Sequence, residues 1–345
     1  MNQQGPIERN VQIAGGSTYT LSLPQEWGDA HELSKGDRLY VYQDSDRLIV
    51  APSTVDREPE TFRIDASEVS REGVAQNVKA AYTAGCDRIV VGGHEPRASD
   101  LARTVSRTVE SFIGMEIAET TDDEIVIRDH LNTDAVSLDQ SVVQMRQLAV
   151  GMQSDAVEAV RMNDDMLARR VVERDEYVDR LFAFVSRGFH RGLEDVNELD
   201  RLDVNRKTAF HYYKIARQLE RVADRAERIA GVAEAQSTRP DEAVGSEFKR
   251  LVSGATDVVE RALRDDTDGA IDAYRDVSER LDAVDYELST RGDPDAYLYG
   301  TLVESARRTA QHGLNVVNST VEISVIDMLY AEGTGNAGGL RSRRR

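Results

Sequence analysis

Hydrophobic and polar positions alternate along the N-terminal part of the chain and recur every third or fourth residue along the C-terminal part. Between residues 9 and 52 the segments "NVQIA", "TYTLSLP", "DRLYVYQ" and "DRLIVAP" alternate as short strands, with Gly, Asp and Ser clusters between them and one helical stretch, "PQEWGDAHEL". So few strands bury too little surface to stand alone, so this module is expected to dimerise or to pack on a neighbour. From 58 to 134 strands alternate with helices: "TFRID", "REGVAQNVKAAYTAG", "DRIVVGG", "ASDLARTVSRTVESFIG", "MEIAET" and "DEIVIRD". That alternation predicts a small α/β module. Beyond 134 six helical segments are predicted, 135–163, 164–193, 203–234, 240–264, 267–290 and 296–328, with breaks that include "EDVNELD", "AQSTRPDE", "RDDTDG" and "RGDPDA". Short connections make neighbours antiparallel, hence two three-helix units. The expected fold is multidomain α+β: a β module over 1–54, an α/β module over 58–134, a six-helix two-repeat bundle over 135–330, and a disordered tail over 331–345.

One helix departs from its own pattern. In 164–193 the apolar stripe runs Leu167, Val171, Val178, Phe182 and Val185, and its spacing calls for a core residue at 175, where the chain has Asp175. Asp179 lies one turn further on the same side. In the next long helix, "ARQLERVADRAERIAG", Glu220 and Asp224 border the small residues Ala216, Ala223, Ala226 and Ala230, which permit close approach of two backbones. In an antiparallel pair the couples Asp175/Asp224 and Asp179/Glu220 are both centred near residue 200, inside the independently identified break "EDVNELD". Four carboxylates at two adjacent levels are therefore expected to converge. Such a group loses hydration and repels itself, so positive charge is required among them. Arg174, Arg221 and Arg225 offer a salt-bridge network; one or two hard cations on oxygen ligands are the alternative. Glu173 and Glu176 flank the site as weaker candidates.

Charge bears on both readings. Lys plus Arg total 43 against 62 Asp plus Glu, a formal net charge of -19, which repels nucleic acid and anionic membrane over most of the surface. Basic residues are mostly Arg, with lysine only at Lys35, Lys79, Lys207, Lys214 and Lys249. This acidic, lysine-poor composition resembles that of salt-loving archaeal proteins, in which an acidic face with no metal is an ordinary surface. The single cysteine, Cys86, excludes a disulfide framework and a thiolate metal site, and is read as a small buried apolar residue. "MNQQGPIERN" has neither a basic region nor an apolar run, and no stretch is long and uncharged enough to span a bilayer. A cytoplasmic protein without membrane insertion is expected. "VGGHEP" lacks the glycine context of a phosphate cradle and reads as a turn, with His94 a loop residue. No E-x-x-H occurs, His190, His211 and His312 are isolated, and no nucleophile and base are paired, so binding rather than catalysis is predicted.

"VVERDEYVDRL" followed by "ARQLERVADRAERIAG" resembles the paired E/D-x-x-x-D motifs of the PhoU family of phosphate-signalling regulators. The resemblance implies a six-helix, two-repeat bundle holding a multinuclear iron or zinc cluster, with Asp175, Asp179, Glu220 and Asp224 as the matching ligands. It also implies a partner, the phosphate transporter's ATPase subunit or a signalling protein. The second repeat departs from the pattern: "SERLDAVDYEL" keeps Glu279, Asp282 and Asp285 but has Leu281 at the place of Asp175, and Arg307 and Gln311 stand near the places of Glu220 and Asp224. At most one competent cluster is expected, in the first repeat. The strand and short-helix order of 1–54 resembles the swapped-hairpin AbrB/MazE/SpoVT domain, in which two chains interlock. Its DNA-binding members carry clustered Arg, whereas residues 1–52 hold Arg9, Lys35, Arg38 and Arg47 against seven acidic residues. A homodimer through this domain and operator binding are both implied. The whole resembles a haloarchaeal-type regulator of phosphate uptake; a DNA-binding repressor with the bundle as sensor, and an acidic scaffold without metal, are the alternatives.

Overall fold

A computed structural model describes residues 6–44, 47–52, 60–93, 99–130, 137–194, 196–202, 204–290 and 294–335. The chain forms two compact units, Met1–Glu58 and Pro59–Arg345.

The first unit holds two hairpins. Strands β1 (Gln12–Ala14) and β2 (Thr18–Thr20) pair antiparallel with Ile13 opposite Tyr19, turning through Gly15 and Gly16 at positive φ. A short helix α1 (Gln25–Ala30) opens after Pro24, whose fixed φ suits a helix start. Strands β3 (Tyr40–Asp44) and β4 (Arg47–Ala51) pair with Val41 opposite Val50. The hairpins form separate two-stranded sheets. Ile13, Tyr19 and Leu48 are 65, 75 and 70% exposed, so among the described residues of this unit the alternating pattern has no core to face. Ile7, Leu23, Pro24, Trp27, Leu48 and Val50 line an open, largely apolar groove of about 520 Å³.

The second unit begins with β5 (Thr61–Asp65), α2 (Arg71–Ala84), β6 (Arg88–Gly92), α3 (Ser99–Glu110), β7 (Met115–Thr120) and β8 (Glu124–Asp129). The sheet order is β5-β6-β8-β7, with β5 parallel to β6 and the other pairs antiparallel. Helix α2 is capped by Ser70, which accepts from the Gly73 N–H, and ends at Gly85, whose φ of 100° is costly for any side chain. Val78, Tyr82, Ile89, Val105 and Ile127 form the core, with Tyr82 stacked on Phe112 at 4.2 Å. Cys86 packs at the edge of this core and is half-buried rather than fully enclosed. Residues 94–98, His94 among them, lie outside the described residues.

Helices α4 (Leu138–Met162), α5 (Asp165–Glu194), α6 (Val196–Arg201), α7 (Arg206–Ala235), α8 (Glu242–Ala262), α9 (Thr267–Thr290) and α10 (Ala296–Gly335) follow. The six long helices fall where the periodicity predicts them. Helix α7 packs on α4, α5 and α10, and α8 on α4, α9 and α10, so α4, α7, α8 and α10 make the centre while α5 and α9 flank it. One buried apolar cluster runs through all six. Buried Gln153 of α4 donates to the Val222 carbonyl of α7 and the Thr309 hydroxyl of α10, at 2.7 and 3.1 Å. Two expectations need correction. "EDVNELD" is not a plain turn: it contains α6, held by burial of Leu199 and by ion pairs of Glu198 with Arg191 and Arg201. Helix α10 runs on to Gly335, into the stretch read as a tail, and residues 336–345 lie outside the described residues.

Helix α2 packs on α5. Arg187 donates to the Tyr82 and Cys86 carbonyls, both at 2.9 Å, and to Asp129 at 2.6 Å. Arg191 pairs with Asp87, Asp129 and Glu198, and Ala183 joins the α/β core. The α/β module is thus fastened to the C-terminal half of the helix that carries Asp175 and Asp179.

Candidate metal centre

The α5 stripe is as the spacing requires. Val171, Val178 and Val185 are buried, and Asp175 between them is only 9% exposed. Ala216, Ala223, Ala226 and Ala230 of α7, which packs on α5, are fully buried. The antiparallel register is keyed by rings: Phe189 lies 5.7 Å from Phe210 and 4.8 Å from Tyr213, centroid to centroid. Carried along both helices, that register brings Asp175 and Asp179 level with Asp224 and Glu220. One carboxylate oxygen each from Asp175, Asp179 and Asp224 lie within 4.8 Å of one another.

Electrostatics are those of an unneutralised acidic cluster. Burial, then the charges of Glu227, Asp179, Asp224 and Glu220, push the Asp175 carboxyl up to about 8. Burial and the neighbouring Asp224 and Asp179 push Glu220 up to about 7, against Arg221 and Arg217. Asp179, Asp224 and Glu227 are also raised, in each case chiefly by burial. The salt-bridge alternative is filled in part, since the charges of Arg225, Arg221 and Arg228 lower Asp224 and those of Arg221 and Arg217 lower Glu220. Arg174 turns away to pair with Asp155, Arg225 comes no closer to Asp224 than 4.0 Å, and no cation is among the main influences on Asp175. Oxygen donors packed this closely suit a hard cation, iron(III) or a magnesium-like ion, better than zinc, which favours nitrogen and sulfur.

The predicted residues divide. Asp175, Asp179 and Asp224 converge, and Glu220 adjoins them through its charge on Asp224 and Asp179. Glu176 is exposed but acts on Asp179 and Glu227, while Glu173 is exposed and absent from the main influences on the cluster. Two contributors escaped sequence reasoning. Glu227 lies three residues after Asp224, a spacing that α7 alone makes legible. Lys79 of α2, whose charge lowers Asp179 and Asp224, comes from a separate module and leaves no local signal. In the second repeat Leu281 is buried in the core and Arg307 pairs with Asp282 at 2.8 Å, so a salt bridge fills that place.

Residues 142–233, which span nearly all of α4 through α7, match the PhoU domain model. The matched segment contains Asp175, Asp179, Glu220, Asp224 and Glu227. Residues 12–58 match a second model, described as antidote-toxin recognition MazE, bacterial antitoxin, in agreement with the N-terminal resemblance. Among solved structures, PhoU from Pseudomonas aeruginosa is 20% identical, over 54% of this chain and 95% of that one, at a TM-score of 0.44. The phosphate transport system regulatory protein PhoU from Streptococcus pneumoniae is 17% identical, over 54% and 93%, at 0.43. No curated protein matches the chain significantly. Among the described residues no helix is long and apolar enough to cross a membrane.

Proposed function

We propose that this protein is a cytoplasmic, non-enzymatic regulator of phosphate uptake, whose PhoU domain is held in its working form by metal at the α5/α7 cluster. The observation that carries the reading is Asp175, a core position occupied by a carboxyl whose nearest charges are other carboxylates. Asp175, Asp179, Glu220 and Asp224 would hold the metal, with Glu227 beside them. A bound cation, iron or zinc being what the resemblance implies, would neutralise the carboxylates and supply open coordination positions. The chain's part is to hold the oxygens together: the alanines of α7 set the spacing, the Phe189 ring contacts set the register, and burial keeps water from dissipating the charge. The partner this reading assigns is the ATPase subunit of the phosphate transporter or a signalling protein.

Elemental analysis tests the reading. Native protein is expected to carry metal and an Asp175→Ala, Glu220→Ala double variant to lose it; equal content in the two would remove the site. The MazE match favours a second role for residues 12–58. Exposed apolar strand residues and an open, largely apolar groove support homodimerisation there. Seven acidic residues against four basic ones over 1–52 argue against operator binding as the main task. A repressor would retard phosphate-transport promoter DNA at high salt, and we expect no shift.

A further inference from the structure

Helix α7 carries charge of opposite sign on adjoining faces. Glu220, Asp224 and Glu227 look toward α5, and one residue on from each, Arg221, Arg225 and Arg228 stand about 100° around the helix, toward α10. The register on that side is fixed by hydrogen bonds: Gln218 accepts from the Asn315 amide at 3.2 Å and lies 3.1 Å from His312 Nδ1, and Gln153 ties Val222 to Thr309. Arg221 and Arg225 therefore lie alongside Arg308 and His312.

The positive charges are poorly matched. Arg308 pairs with Glu304 at 2.7 Å, Arg225 reaches only Asp224 at 4.0 Å, and Arg221 makes no ion pair among the described residues. Arg225 Nε is buried and has no hydrogen-bond partner. Burial and the charges of Arg221, Arg225 and Arg308 converge on His312 and hold its imidazole down at about 4, hence neutral. Asp224 and Glu220 offset part of this charge from the adjoining face, while the buried Arg225 Nε keeps a donor unspent for a further anion.

We propose that Arg221, Arg225 and Arg308, with His312 at their edge, form a site between α7 and α10 for a small tetrahedral oxyanion, the phosphate group. Guanidinium forks match phosphate oxygens in pairs, and neutral His312 adds a polar contact without adding charge. The three arginines span two levels of a helix pair, and the site opens to solvent at Arg308, whose side chain is 60% exposed. The site deepens the phosphate-uptake reading by placing the signal molecule on the PhoU domain itself, and it is built from residues other than the carboxylate cluster.

The test is calorimetric titration of the full chain, stripped of metal with a chelator, with inorganic phosphate, and in parallel with ADP and with a poly-glutamate peptide. We expect saturable binding of one phosphate per chain, weakened about tenfold or more in Arg225→Gln and in Arg308→Gln, and undiminished in Asp179→Asn. Arg308 is largely exposed, so its variant tests the site without disturbing the core, and unchanged thermal unfolding checks that. Tighter binding of ADP than of inorganic phosphate would assign the phosphate group to a nucleotide and keep the site. Preference for poly-glutamate, absence of saturable phosphate binding, or equal affinity in the arginine variants would overturn it. Phosphate binding that needs metal and vanishes in Asp179→Asn would place the anion on the metal and overturn the arginine site while sparing the metal reading. Metal-independent binding in a protein that never loads metal would do the reverse.

Discussion

Asp175 sets the sign of the protein's response to pH. Its carboxyl is raised in the folded chain from 3.8 to about 8, so the folded state holds a proton that the unfolded chain releases above pH 4. Its contribution to stability is full below that point and is lost as pH rises toward 8. Metal-free protein is therefore expected to lose melting temperature between pH 5 and 8 relative to Asp175→Asn, which keeps the shape and removes the titration. Parallel curves for the two would show that the cluster is solvated. Added metal should reverse the loss in the native chain and leave Asp175→Asn unmoved. The same residue was legible before any coordinates, because it breaks an apolar stripe of period 3.6. Lys79 and the Arg221, Arg225 and Arg308 group were not. Their neighbours come from helices remote in the chain, and hairpin register says nothing about α7 against α10.

Among elements, the fastening of α2 to α5 and the approach of α10 to α8 make the strongest claims. Arg187→Leu would take one partner each from Asp129 and from the Tyr82 and Cys86 carbonyls in a buried place, a loss on the order of 3 kcal/mol in urea unfolding. A loss below about 0.5 kcal/mol would mean that water satisfies these groups. At Gly313 a Cβ would meet Val258 Cγ1 at 2.8 Å and the Val259 backbone nitrogen at 2.9 Å. Gly313→Ala must push the helices apart, and we expect about 1–3 kcal/mol of destabilisation. The long helices were readable from breaks rich in Gly, Pro and Asp. Helix α6 was not, since "VNELD" has weak helical character and owes its helix to Glu198 meeting Arg191, a tertiary contact.

At the scale of the whole molecule the chain has two units of different self-sufficiency. Residues from Pro59 onward bury continuous cores, whereas the hairpins of Met1–Glu58 leave their apolar positions outward. Full-length protein is expected to run as a dimer by light scattering, and Ile13→Glu with Leu48→Glu to run as a monomer with the bundle's helical signal intact. A dimer that survives both changes would sink the interlocked-hairpin arrangement.

Helix α5 is 30 residues long and serves two clients, the carboxylate cluster through Asp175 and Asp179 and the α/β module through Arg187 and Arg191. An inserted or deleted residue between 179 and 187 would turn one pair against the other by about 100° and leave one client unserved. Surface loops tolerate changes of length. This stretch can change composition but not count, so its length acts as a ruler by which a true relative is told from a chance match of acidic motifs.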